Sequence, residues 1–412
     1  MGKQKCFTRN FTFLILGQVS SLIGNYTLKF ALSMYVLEQT GSASIFAALL
    51  AVAMLPTILL SPFGGILADR ANRRNIMVAL DALSGTSVLI AGAVLSFGHD
   101  IFIIGVLLVV LSVLAAFESP TVQACVPQML SEDDLLRGNA IVNQVQAFAS
   151  LFTPFLGSII YAAFGLHPIL WGTVACFFLT AILECFIRLD DRKPNVHMPI
   201  REIIKKDFSA SIRFLCREQP CILKLLLLAA LASLFVAGTV VVGFPYLVRT
   251  VLGLSAEHYG AAESAMGVAA ILGSLFVGIM AQKFRLRWLS LAFEGLGLCL
   301  VPAGIVFLLP LAPFGIYIIL LIMFCIMQFG CSLFSTCAIS VIQRRTPEHL
   351  MGKVMSYVFT LSMCAQPAGQ LVYGALFDRF AHCPYWVLIP SGALLCAVGI
   401  LSVPFFVDLE KQ

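Results

Sequence analysis

The chain has 412 residues, 60% of them hydrophobic and 11% charged, a formal net charge of +5 and a mean hydropathy of +0.97. A soluble domain is about 45–50% apolar and about 25% charged, so there is too little polar surface here to cover a globule in water. Soluble enzymes and nucleic-acid binders are excluded, and the solvent is lipid.

Spanning about 30 Å of hydrocarbon takes roughly 20 apolar residues as helix, and a backbone with no water to bond to favours helices. Apolar runs between polar breaks predict twelve spans: 11–37, 43–68, 75–97, 101–127, 138–164, 168–188, 221–249, 257–281, 287–309, 314–340, 351–377 and 384–407. The first run is too long for the core of a cleaved signal peptide. On one side the breaks are short (Gln39–Ser42, His99–Asp100, Gly165–His167, Pro310–Pro313), while Leu189–Pro220 is long and charged, with an amphipathic helix predicted over Pro199–Arg217. Of the 26 basic residues, only Arg249 and Arg379 fall opposite the charged breaks, and Lys29 lies inside a span. By the positive-inside rule the basic face, with both termini, is cytoplasmic.

The expected fold is therefore all-α and integral to the membrane: twelve transmembrane helices in two pseudo-repeated six-helix bundles. Residues 1–188 form the first half, 189–220 a linker and 221–412 the second half. The repeat is visible in the letters. Gly65-Ile66-Leu67-Ala68-Asp69-Arg70 returns 213 positions later as Gly278-Ile279-Met280-Ala281-Gln282-Lys283, Asp81 returns as Glu294 and Pro154 as Pro367. Repeated halves with a site at their interface mark secondary transporters. No G-x-x-x-x-G-K-[ST] phosphate loop is present, so an ion gradient is the expected energy source. The thirteen cysteines form no C-x-x-C pair and read as small buried hydrophobes. No nucleophile–base or metal constellation gathers at one depth, so neither enzymatic activity, cofactor, metal nor obligatory protein partner is expected.

Between spans two and three the chain reads Gly64-Gly65-Ile66-Leu67-Ala68-Asp69-Arg70-Ala71-Asn72-Arg73-Arg74. This resembles the G-x-L-a-D-r-x-x-r-r-k signature of the major facilitator superfamily. Gly17-Gln18-Val19-Ser20-Ser21 with Thr40-Gly41-Ser42, Phe117-Glu118-Ser119-Pro120 before Pro127, and Tyr259-Gly260-Ala261-Ala262-Glu263-Ser264-Ala265 are similar to its macrolide-efflux and enterobactin-exporter branch. The resemblance implies a conformational latch of Gly65, Asp69, Arg70, Arg73 and Arg74, with Asp69 meeting the start of span eleven and Arg73 pairing with Glu118. In drug/proton antiporters span five carries G-P-x-x-G-G. Here Thr153-Pro154-Phe155-Leu156-Gly157-Ser158 and, in span eleven, Gln366-Pro367-Ala368-Gly369 keep a Pro and a Gly each. Pro154, Gly157, Pro367 and Gly369 are candidate bending and close-packing points. Many proton-coupled members also carry an Arg midway along span four, whereas Leu108–Leu114 here holds no charge. Another residue must then supply any proton switch.

Charges at mid-bilayer cost about 2.5–3.5 kcal/mol on insertion scales and each invites a functional reading. Glu184, one turn before Arg188, is expected to snorkel with it. Asp81 and Glu294 are expected to brace basic loops. Lys29 and Glu263, at overlapping depth in spans one and eight, are candidates for ion coupling, either through substrate–proton competition at Glu263 or as a static pair. Gln18, Asn25, Tyr26 and Gln328, with Phe117, Phe235, Phe244, Tyr246, Phe324 and Phe334, are candidate lining of an apolar cavity suited to a bulky amphipathic ligand. The resemblance implies export rather than import, and with these features the expectation is an exporter of amphipathic small molecules by proton-coupled alternating access, with the bilayer, the substrate and a proton or other ion as partners. A dedicated exporter of a siderophore or other metabolite, and a non-transporting sensor or lipid translocator of the same fold, are the alternatives.

Overall fold

The computed structural model of the chain describes residues 8–95, 99–131, 134–189, 220–280, 289–346 and 348–411. Their regular structure is helical throughout, with no strand among the described residues. In chain order the helices are α1 (Arg9–Thr40), α2 (Ala43–Arg70), α3 (Arg73–Val94), α4 (Asp100–Met129), α5 (Leu135–Phe164), α6 (Leu166–Cys185), α7 (Pro220–Val251), α8 (Ala256–Met280), α9 (Leu289–Leu308), α10 (Pro313–Arg345), α11 (Glu348–Arg379) and α12 (Tyr385–Lys411). All but α11 are long and apolar enough to cross a membrane. Helix α11 occupies the predicted eleventh span, but Gln366, Gln370 and the charges at its two ends dilute its apolar face. The amphipathic helix predicted over Pro199–Arg217 lies outside the described residues, as do Gln282 and Lys283 of the second signature.

The repeat extends to backbone conformation. Gly41 between α1 and α2 has φ +59°, and Gly253 between α7 and α8, 212 positions on, has φ +65°. Only glycine enters that region without a steric cost, so both turns reverse the chain in a few residues. The repeat fails inside α7. That helix widens into π-helical turns over Ala237–Gly243 and Leu247–Val251, whereas α1 is regular α-helix.

Two compact units emerge, and they do not follow the halves of the sequence. One contains Met1–Gln39, Val52–Val196 and Ala256–Ser264; the other contains Thr40–Ala51, His197–Ser255 and Ala265–Gln412. The divisions fall within α2 and α8, so the first turns of each helix pack with the unit built mainly from the opposite half.

Within each unit, small residues set the closest approaches, as expected where lipid removes the hydrophobic drive between helices. In the first unit α1 lies against α6. Gly17 receives Thr180, Gly24 receives Cys176, and Thr180, Thr173 and Ser20 donate to the carbonyls of Gly17, Gly24 and Cys176 at 3.1, 3.2 and 3.0 Å. In the second unit a Cβ on Gly369 would overlap the Leu234 carbonyl of α7, and Gly297 of α9 and Gly392 of α12 face each other backbone to backbone.

Candidate functional site

The signature at the end of α2 organises the basic face of the first unit. Gly64 is pressed against the backbone of Ala116 and Phe117 on α4, immediately beside Glu118. Asn72 caps α3, its side chain accepting from the Asn75 N–H at 3.2 Å. Arg73 donates to the carbonyls of Ala68 at 2.8 Å and Ala124 at 2.6 Å, and Arg74 donates to the carbonyl of Cys185 on α6. The two arginines thus staple α2, α4 and α6 around the start of α3. The side chains of Asp69 and Arg70 and the surroundings of Gly65 lie outside the described part of the structure.

Glu118 is placed among other groups. It is half-buried and acted on by Lys29, Gln18 and Ser21 of α1. Lys29 is exposed on its helix and takes Glu118 as its carboxylate neighbour. Gln18 is 8% exposed. Behind this group sit Asp81, expected to brace a basic loop, and Glu184, expected to snorkel with Arg188. Asp81 is 0% and Glu184 1% exposed; Ser21 Oγ donates to Asp81 Oδ1 at 3.2 Å, and the two carboxyls are within hydrogen-bonding reach of each other. Glu184 does not snorkel with Arg188. Its carboxyl is buried, and the α1–α6 contact at Gly17 holds its stem. The pseudo-equivalent of Asp81, Glu294, is only half-buried.

Glu263 lies elsewhere on the same unit, half-buried and bonded to the Tyr259 hydroxyl one turn earlier in α8. Tyr259 stacks on Phe30, with centroids 5.4 Å apart and planes inclined by 15°. Ser264 Oγ donates to the Leu151 carbonyl at 2.8 Å, and Gly260 seats against Ser158 and the Pro154 carbonyl of α5. The structure therefore gives Lys29 and Glu263 different partners, Glu118 and Tyr259. Gly157, one turn beyond Pro154, lies against Thr27 and Phe30 of α1, and Pro367 is internal to α11, two residues before the Gly369 contact.

Asn25, Tyr26 and Gln328 are half-buried; Asn25 Oδ1 and Gln328 Oε1 meet no donor among the described residues. The aromatic lining expected of the second half is corrected. Phe235, Phe244, Tyr246, Phe324 and Phe334 are all buried and pack in the core of their unit, with Phe244–Phe324 centroids at 4.9 Å and Phe293–Phe334 at 4.8 Å. The π-helical turns of α7 change its angular register on either side of Phe244 and Tyr246.

Sequence reasoning missed Asp378 at the end of α11. Its carboxylate accepts from Ser42 Oγ at 2.6 Å and from the N–H groups of Ala43 and Ser44 at 2.7 and 2.9 Å. It thus caps α2 with a residue more than 300 positions away, favoured further by the positive end of that helix. Burial alone pushes its pKa up, but the hydrogen bonds from Ser42, Ser44 and Ala43 prevail and hold it below the ordinary aspartate value. Gly374, one turn earlier, admits Ala47 and the Ala43 carbonyl of α2. The available signal was Asp378 together with the Ser-Ala-Ser after Gly41, a helix start lacking an acid of its own.

The sequence profile of the Major Facilitator Superfamily matches residues 14–367. Macrolide efflux protein A of Streptococcus pyogenes is 23% identical over 417 residues, covering 100% of this chain and 99% of that protein. The multidrug efflux pump Tap of Mycolicibacterium fortuitum is 24% identical over 412 residues, covering 96% of each. Among solved structures, a bacterial homologue of the iron transporter ferroportin superposes with a TM-score of 0.73 at 17% identity, covering 98% of this chain and 99% of that one. With twelve helices in the described residues and a profile that spans most of its length, the chain is a multi-pass membrane protein of the major facilitator superfamily.

Proposed function

We propose that the chain exports amphipathic small molecules of the macrolide and multidrug kind, by alternating access driven by a proton gradient. The observation that carries this reading is its end-to-end likeness to proteins named for macrolide and multidrug efflux. The two halves, 1–188 and 221–412, are the moving bodies, with 189–220 joining them on the cytoplasmic side. The turn from Asp69 to Arg74 is the latch on that side, and Pro154, Gly157, Pro367 and Gly369 are the points where helices bend or slide. Lys29, Glu118 and Glu263 supply charge on partly open faces, and Gln18, Asn25, Tyr26 and Gln328 supply scattered polar anchors. Few polar groups among apolar walls suit a bulky amphipathic ligand better than a sugar. A substrate that displaces a proton from Glu263 couples its exit to proton entry.

The test uses efflux-deficient bacterial cells expressing the native chain or its Asp69→Asn variant, loaded with a labelled macrolide and several dyes. Accumulation is expected to fall several-fold with the native chain, and to return to the control level with a protonophore or with Asp69→Asn. Unchanged accumulation of every compound, with the protein confirmed in the membrane, contradicts broad export and favours a dedicated metabolite exporter.

A further inference from the structure

The carboxyls of Asp81 and Glu184 are more completely buried than any other acidic side chain among the described residues, and the proposed mechanism leaves them without a role. As two carboxylates they would be acceptors only. Asp81 Oδ2 and both oxygens of Glu184 then meet no donor among the described residues, and Ser21 supplies the single bond to Oδ1. Two like charges in contact in a medium of low dielectric cannot both persist. One proton placed between the two carboxyls supplies the missing donor and removes one of the charges.

The surroundings reinforce this. The titratable groups facing the pair are Glu118 and Cys125 on α4 and Cys185 on α6. Of the cations in this region, Lys29 acts on Glu118, Arg73 acts on Cys125, and Arg74 is bonded to the Cys185 carbonyl. No group of three described His, Cys, Asp or Glu residues could hold a metal ion.

The fold itself does not require these charges. At the offset of 213, Gln18, Ser21, Lys29, Glu118 and Glu184 correspond to Leu231, Leu234, Val242, Cys331 and Ala397. Within two positions of that offset, Lys29, Glu118 and Glu184 find no charged counterpart, and only Asp81 does, as Glu294. The second half carries no charge at the positions equivalent to Lys29, Glu118 and Glu184, so these three charges serve something other than folding.

We infer that Asp81 and Glu184 form a proton-binding site in the first half, holding one proton shared between the two carboxyls. Half-buried Glu118 and exposed Lys29 connect the site to the open face of α1. The proton leaves by way of the Glu118 carboxylate to water only when water reaches the pair, and hydration then carries the two carboxylate charges until reprotonation. The role in coupling rests on the proton-driven export proposed above; the bound proton itself does not.

Infrared spectroscopy of the purified full chain in lipid nanodiscs at neutral pH reads the proton without substrate or gradient. A carbonyl stretch of a protonated carboxylic acid is expected in the native chain, lost in Asp81→Asn and in Glu184→Gln, and retained in Glu263→Gln. Ser21→Ala, which keeps the packing, should shift the band by removing its hydrogen bond to Asp81. No such band in the native chain, or a band that neither pair variant removes and Ser21→Ala leaves unmoved, overturns the site. In proteoliposomes, Asp81→Asn should lose gradient-driven accumulation of a labelled macrolide while keeping its exchange across the membrane. Loss of both in the native chain contradicts the export reading and leaves the infrared result standing.

Discussion

Gly369→Ala should lower the thermal midpoint of the detergent-solubilised protein, while Gly295→Ala should leave it unchanged or raise it. At position 369 the added methyl overlaps the Leu234 carbonyl of α7, and a backbone atom cannot rotate aside. Helices α7 and α11 must separate, and overpacking of this kind costs about 1–3 kcal/mol. At position 295 a Cβ meets nothing within 4 Å, so only the helix-propensity gain of about 1 kcal/mol remains. The two substitutions are chemically identical and differ only in what the methyl meets. Equal midpoints for both variants would show that α7 and α11 do not approach at Gly369.

Asp378→Ala should loosen the start of α2. It removes the acceptor of three hydrogen bonds to the start of α2. Losing a helix cap costs about 0.5–2 kcal/mol, and part of the cost is recovered because the site is partly open to water. Hydrogen exchange in a peptide covering 40–51 should accelerate several-fold in the variant, with the core of α2 less affected. Asp378→Asn, still an acceptor but uncharged, should fall between. The sign of the pH dependence follows from the lowered pKa. A carboxylate with a depressed folded-state pKa stabilises fully above its unfolded value, about 3.9, and the contribution is lost as pH falls through the folded value. Protection in this peptide, corrected for intrinsic exchange, should therefore hold from pH 8 to pH 5 and fail only in stronger acid. Protection that declines between pH 7 and pH 5 would contradict this assignment.

The sequence made the spans and the repeat legible because lipid imposes one rule on every helix: about 20 apolar residues between polar breaks. The signature at Gly64–Arg74 was legible too, and Gly64 shows its physical basis in a backbone contact with α4. What stayed hidden depends on neighbours that no period reveals. Glu184 reads as a boundary residue next to Arg188 until α6 is docked on α1 through Gly17 and Gly24, which turns its carboxyl toward Asp81. Gln18 and Ser21, one turn apart on the same face of α1, were the visible half of that cluster. The aromatics of α7 and α10 satisfy the composition of a cavity wall and of a core equally well. The π-helical turns over Ala237–Gly243, which no residue pattern here announces, further shift the register of α7. Asp378 reads as an ordinary charge at a helix end, since its partners on α2 come from the other half of the chain.

Proton-driven export is tested most directly in proteoliposomes containing only this protein, with a proton gradient imposed across the membrane and a labelled macrolide supplied on the side corresponding to the cytoplasm. The account predicts that the compound moves against its own gradient, with measurable counter-movement of protons, and that both stop when the gradient is collapsed. Macrolide that merely equilibrates at the same rate with and without the gradient would contradict it.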